Sequence, residues 1–144
     1  MKILALTILF ILMFFRIKGT PSVLSKTLWQ KRMFKSLEKN KENNNGEPIS
    51  DAMHGAVILT VFFMELFLII FYIVLGNKIG TTEFIVMSAL QVFTCLWSFG
   101  VNLSEVKTAF SYNIEDLKFH RFQFLFNVVL DYIYYPWAIY MLLK

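Results

Sequence analysis

The sequence predicts an all-α integral membrane protein: a polytopic bundle crossing the bilayer four times, with both termini non-cytoplasmic. Three observations lead there. Hydrophobic residues make up 57% of the 144-residue chain and charged residues 17%, against roughly half and a quarter in ordinary soluble domains. The charges are clustered: residues 84–104 carry none, 55–77 only Glu65 and 122–143 only Asp131. Each stretch reaches the roughly 20 apolar residues that a spanning helix needs. Finally, the basic residues fall unequally between the two sides that such a layout defines.

The first span is expected over 3–17. It is short and ends near Arg16. A signal peptide would place its positive charge before the apolar run and small residues after it. Here Lys2 stands alone in front, Arg16 and Lys18 follow, and no Ala-x-Ala pattern appears. The segment therefore reads as a retained helix at the bundle edge or facing lipid. One membrane domain covers 1–144, with further spans over 55–77, 84–104 and 122–143.

Orientation follows from the loops. Residues 16–41 carry eight Lys or Arg, and Lys107, Lys118 and Arg121 add three, against Lys2, Lys78 and Lys144 on the other side. Basic loops stay cytoplasmic, which places the loop 18–53 there, without indicating which membrane. Within it, residues 21–38 are expected to form a helix, with Trp29, Met33, Phe34 and Leu37 towards the membrane interface and Lys31, Arg32 and Lys35 near anionic headgroups. The same helix also suits docking of a partner. Polar residues 40–48, ending in Gly and Pro, read as a linker. Retention of positive loops accounts for the basic charge, so nucleic acid is not an expected partner. The Asn102-Leu-Ser104 sequon falls on the cytoplasmic side and carries no meaning there.

Successive helical residues turn by about 100°, so spacings of three, four, seven and eleven mark one face. His54, Glu65 and Tyr72 share a face of the second span. Ser88, Gln91, Cys95, Ser98 and Asn102 line the third. His120, Gln123, Asn127, Asp131 and Tyr135 line the fourth. Polar stripes in hydrocarbon should face one another, because an unpaired polar group there costs several kcal/mol. For Gln91 and Asn127 ordinary interhelical bonding competes with a direct role at the site.

Glu65 and Asp131 stand apart. Each lies eleven residues beyond a histidine, about 16 Å at 1.5 Å per residue, which sets both near mid-bilayer at one depth. No Lys or Arg lies in the last three spans. A charge there costs from roughly 3 to over 10 kcal/mol. Protonation, a bound cation or wet path, and a basic residue from another subunit are the three remedies weighed. Pro136 removes a backbone donor just beyond Tyr135 and predicts a kink. The surrounding Tyr132, Tyr134, Tyr135, Trp137 and Tyr140 suit an interface belt or a docking surface.

Signals of catalysis are poor: no nucleophile triad, phosphate loop or zinc spacing is present. His54 and His120 lie at one level and in principle suit a bis-histidine haem, but no cofactor or metal is expected. Cys95, the one cysteine, reads as a small buried apolar residue. The two-ends-out, four-pass layout, His54-Gly55 and the closing aromatic run are similar to the cornichon cargo receptors. The acidic first loop of that family is missing here, and no function is carried over. Two functions remain. The first is an accessory or adaptor subunit assembling with other membrane proteins through its polar faces. The second is a homo-oligomeric proton or cation transporter using Glu65 and Asp131. The bilayer, other subunits and copies of the chain are the expected partners.

Overall fold

The computed structural model describes residues 2–43, 51–110 and 119–144. Side chains at 36, 37, 40–43, 51–54, 102 and 104–110 lie outside the described set, and with them the expected roles of Leu37 and His54. The described residues form five α-helices and no strand: α1 Lys2–Leu24, α2 Lys26–Asn43, α3 Asp51–Ile79, α4 Thr82–Phe110 and α5 Arg121–Leu143. Three segments are long and apolar enough to cross a membrane: Lys2–Leu24, Gly55–Ile79 and Thr82–Val101. The protein is a membrane-embedded helical bundle.

The first helix differs from the expectation. It does not end at residue 17 but continues through Arg16, Lys18 and Pro21 to Leu24. Pro21 is tolerated because it falls in the last turn, where its ring removes only the bond to the Ile17 carbonyl. The loop expected over 18–53 therefore gives its first seven residues to α1. The helix expected over 21–38 begins instead at Lys26. Ser25 separates the two helices: its carbonyl accepts from Trp29 N at 2.9 Å and its hydroxyl from Leu28 N at 3.5 Å, a role serine favours at helix starts. Residues 40–43 belong to α2, and the remainder of the expected linker, 44–48, lies outside the described residues.

α3 and α4 form an antiparallel hairpin. Gly80, at φ 73°, ends α3 in the left-handed conformation that favours glycine, and its N–H donates to the Gly76 carbonyl at 2.9 Å. One turn earlier Gly76 lets the helices approach closely. A Cβ added there would stand 2.9 Å from both Cβ and Oγ of Ser88, the small-residue contact that membrane helix pairs favour.

α5 packs along α1 and also touches α4. It is the most enclosed helix, burying Gln123, Val128, Leu130, Asp131, Tyr134, Tyr135, Ala138 and Leu142, whereas α1 buries only Leu9. The core forms where Phe84 stacks on Tyr134 at 4.9 Å and Tyr72 meets the same ring edge-on at 5.3 Å. Edge-on and offset pairs add roughly 0.5–1.5 kcal/mol each beyond burial.

Of the expected interface residues on α2, Trp29 turns inward. It is 7% exposed, with its ring 5.5 Å from Phe119 and 6.5 Å from Phe124, and so pins α2 to the foot of α5. Met33 is half-buried, and Phe34 remains exposed.

Gly76→Ala is expected to destabilise the bundle by about 1–3 kcal/mol, the usual cost of overpacking. Ser88 cannot yield easily, since its hydroxyl is bonded to Tyr134 at 2.9 Å. Adding Ser88→Gly should recover part of the loss. Thermal unfolding in mild detergent measures both; an unchanged midpoint for Gly76→Ala would contradict the close approach.

Candidate functional site: a charged cluster inside the bundle

The polar stripes converge. Glu65 and Tyr72 of α3, Gln91, Thr94, Cys95 and Ser98 of α4, and Asn127, Asp131 and Tyr135 of α5 line one cavity of about 100 Å³, closed on the remaining side by Arg16 of α1. The period-3.6 spacing of each stripe brings its members to one face, and the α3–α4 hairpin and the α1–α5 pair turn those faces together.

Its centre is an ion pair. The Arg16 guanidinium bonds directly to Asp131 Oδ2, with the Asp131 side chain 3% exposed and the Arg16 side chain 30%. Gln91 Nε2 donates to Asp131 Oδ1 at 2.9 Å, and Tyr135, one turn further along α5, lines the same cavity. Tyr135 shares a 2.9 Å hydrogen bond with Tyr72, which joins α3 to α5 beside the carboxylate. The Thr94 hydroxyl donates to the Gln91 carbonyl at 2.9 Å and steadies the turn that carries the Gln91 side chain.

The second carboxyl, Glu65, is half-buried and lines the same cavity from α3, as the Cys95 thiol does from α4. Ser98 ends the network, accepting from Asn127 Nδ2 at 2.8 Å and Gln123 Nε2 at 3.4 Å. The other amide atoms, Asn127 Oδ1 and Gln123 Oε1, are buried acceptors with no hydrogen-bond partner among the described residues. A water needs about 10–15 Å³ of such space and two to four polar partners, so this cavity has room and partners for several.

Among the described residues the cavity carries two carboxyls and one guanidinium, an excess of one acid. No group of three or more His, Cys, Asp or Glu among them converges as transition-metal ligands do. What the arrangement can do chemically is hold a proton or a hydrated monovalent cation among carboxyl, hydroxyl and amide oxygens.

The expected site residues Glu65, Gln91, Asn127, Asp131, Tyr72 and Tyr135 all line this cavity. His120 does not. It caps the start of α5 with no side-chain cap bond, eleven residues from Asp131. Arg16 is the residue that sequence reasoning missed. Arg16 lies seven residues after Leu9, which is fully buried, and two helical turns return a residue to the same face; the sequence alone does not show that this face of α1 is the buried one. A basic residue at that spacing from the one buried position of α1 points inward.

No protein-family model matches the chain, and comparison with characterised proteins and with solved structures finds no match to either.

Removing one partner of a buried pair strands the other, at about 3–5 kcal/mol. Arg16→Gln and Asp131→Asn should each destabilise the protein by that order, and the double variant by less than their sum. Equilibrium unfolding in mixed detergent micelles gives the coupling; strictly additive losses would contradict a direct pair.

Proposed function

We propose that the chain is a small four-span membrane protein, α5 being the fourth span, whose Arg16–Glu65–Asp131 cluster is a proton-binding centre serving proton or cation movement. In this reading both termini are non-cytoplasmic and the basic segment carrying α2 faces the cytoplasm, in line with the excess of Lys and Arg there. One observation carries it: two carboxyls and one guanidinium surround a polar cavity at mid-helix depth. Asp131 is buried and Glu65 half-buried, so a single guanidinium leaves the cavity one negative charge in excess, and binding a proton or a cation restores balance at least cost. The hydroxyls of Tyr72 and Tyr135 and the amides of Gln91 and Asn127 supply positions between which a proton can pass. Four helices enclose little space, so a continuous path requires copies of the chain side by side.

A second reading, an accessory subunit of a larger membrane complex, draws on α3. Only 6% of its apolar window is buried within the chain, which leaves a helix face for another membrane protein. The aromatic run of the last helix and the basic helix α2 also suit such a subunit, and a partner's basic residue is one remedy for the two acids. Arg16 meets Asp131 within the chain, so the reading now stands second.

The test is proton flux into liposomes holding the purified protein. Glu65→Gln is expected to lower flux at least about tenfold, equivalent to a barrier increase of about 1.4 kcal/mol, while Tyr140→Phe, on an exposed residue remote from the cavity, should conduct like the parent. Parent-level flux in Glu65→Gln would overturn the proton reading. Mass measurement of the intact complex in gentle detergent separates the second: a different protein bound in fixed ratio favours a subunit role, and copies of the chain alone favour the first.

A further inference from the structure

A second site lies where α1 meets α2. Phe15, Lys18, Gly19, Pro21 and Ser22 of α1 and Leu28 and Arg32 of α2 enclose a cleft of about 430 Å³. Arg32 Nη1 donates to Ser22 Oγ at 3.1 Å, which holds the guanidinium over the cleft, and Ser22 Oγ in turn donates to the Gly19 carbonyl at 2.7 Å. The lining includes two cations, Lys18 and Arg32, and no carboxylate.

Its depth is fixed by the ion pair. Arg16 is level with Asp131, the middle of α5. Leu24, eight residues on, is about 12 Å further along the helix axis at 1.5 Å per residue, close to the edge of a hydrocarbon core about 30 Å thick. The α1 residues that line the cleft, 15–22, run from the level of Arg16 to about 9 Å beyond it, short of that edge, and the long side chains of Lys18 and Arg32 can reach from there to the headgroups. The apolar wall of the cleft continues into the exposed face of α1, where Phe14 is 62% and Phe15 63% exposed.

We propose that this cleft binds the phosphate of an anionic phospholipid, with Lys18 and Arg32 on the phosphate oxygens and an acyl chain along Phe15. Two cations brought together without an acid repel each other, and a phosphate between them removes that repulsion. A guanidinium fixed by Ser22 presents its remaining N–H groups to an anion in a set geometry, which suits phosphate. The amphipathic walls distinguish a lipid from a soluble anion, whose apolar contacts would be nil. The proposal stands apart from the proton centre and does not depend on it.

The test is retention of lipid by the full-length protein in zwitterionic detergent, read as bound-lipid mass. Phosphatidylglycerol and phosphatidylcholine of identical acyl chains are offered in turn, then phosphatidylglycerol with millimolar inorganic phosphate. Phosphatidylglycerol should be retained preferentially, and Lys18→Gln with Arg32→Gln should weaken it roughly thirtyfold, at the usual worth of two basic residues beside an anionic headgroup. The matched control, Lys2→Gln with Lys144→Gln, removes the same charge from the far ends of α1 and α5 and should change retention little. Equal retention of the two lipids would overturn the proposal, as would displacement by inorganic phosphate or an equal loss in the control, which would mean diffuse surface attraction.

Discussion

Hydrocarbon does not tolerate an isolated charge, and the bundle is arranged around that fact. Asp131 sits at the middle of α5, the most enclosed helix, and Arg16 comes to it from α1. The pair sets both the rotation and the axial register of α1 against α5. Leu9, two turns before Arg16, then falls into the core, and Thr20, one turn after, meets the Tyr132 hydroxyl at 3.1 Å. A buried ion pair is weak as a source of net stability, because apolar residues of similar volume often do as well. Its value is selective: any other rotation of α1 strands a charge. That is a strong penalty against misassembly in a helix whose remaining surface is nearly uniform apolar side chains.

The other helix pair solves a different problem with different chemistry. α3 and α4 approach through Gly76 and Ser88 and turn at Gly80, where lipid offers no hydrophobic drive and close backbone contact must supply the attraction. Hydroxyls then join the two pairs: Ser88 to Tyr134 and Tyr72 to Tyr135. Each buried tyrosine contributes a large apolar ring to the core and one polar atom to the network. The polar cavity is the space left between a hairpin held by small residues and a pair held by charge.

Much of this was legible in the sequence, for a physical reason. Long apolar runs with at most one charge favour an unbroken helix, so the segments expected over 55–77, 84–104 and 122–143 lie within α3, α4 and α5, and the first two largely coincide with stretches apolar enough to cross a membrane. Polar residues at spacings of three and four in an apolar background must converge, and Glu65, Gln91, Asn127 and Asp131 line one cavity. Arg16 was not legible by the same logic. A lone charge near the end of an apolar run looks like the membrane boundary, and only the position of its counter-ion, 115 residues later, shows that the helix continues past it. Trp29 fails for a related reason: an apolar face on a short helix reads the same whether lipid or a protein aromatic covers it. Here Phe119 and Phe124 cover it.

The most direct measurement is magnetic-resonance distance detection in lipid vesicles between ¹⁵N-labelled arginine guanidinium and ¹³C-labelled aspartate carboxyl groups. The account predicts a close Arg–Asp contact that disappears in Asp131→Asn and persists when labelled chains are diluted into unlabelled ones. Loss of the signal on dilution would mean that the partner of Asp131 comes from a neighbouring copy. No contact at any dilution would mean that α1 does not carry its charge into the bundle at all.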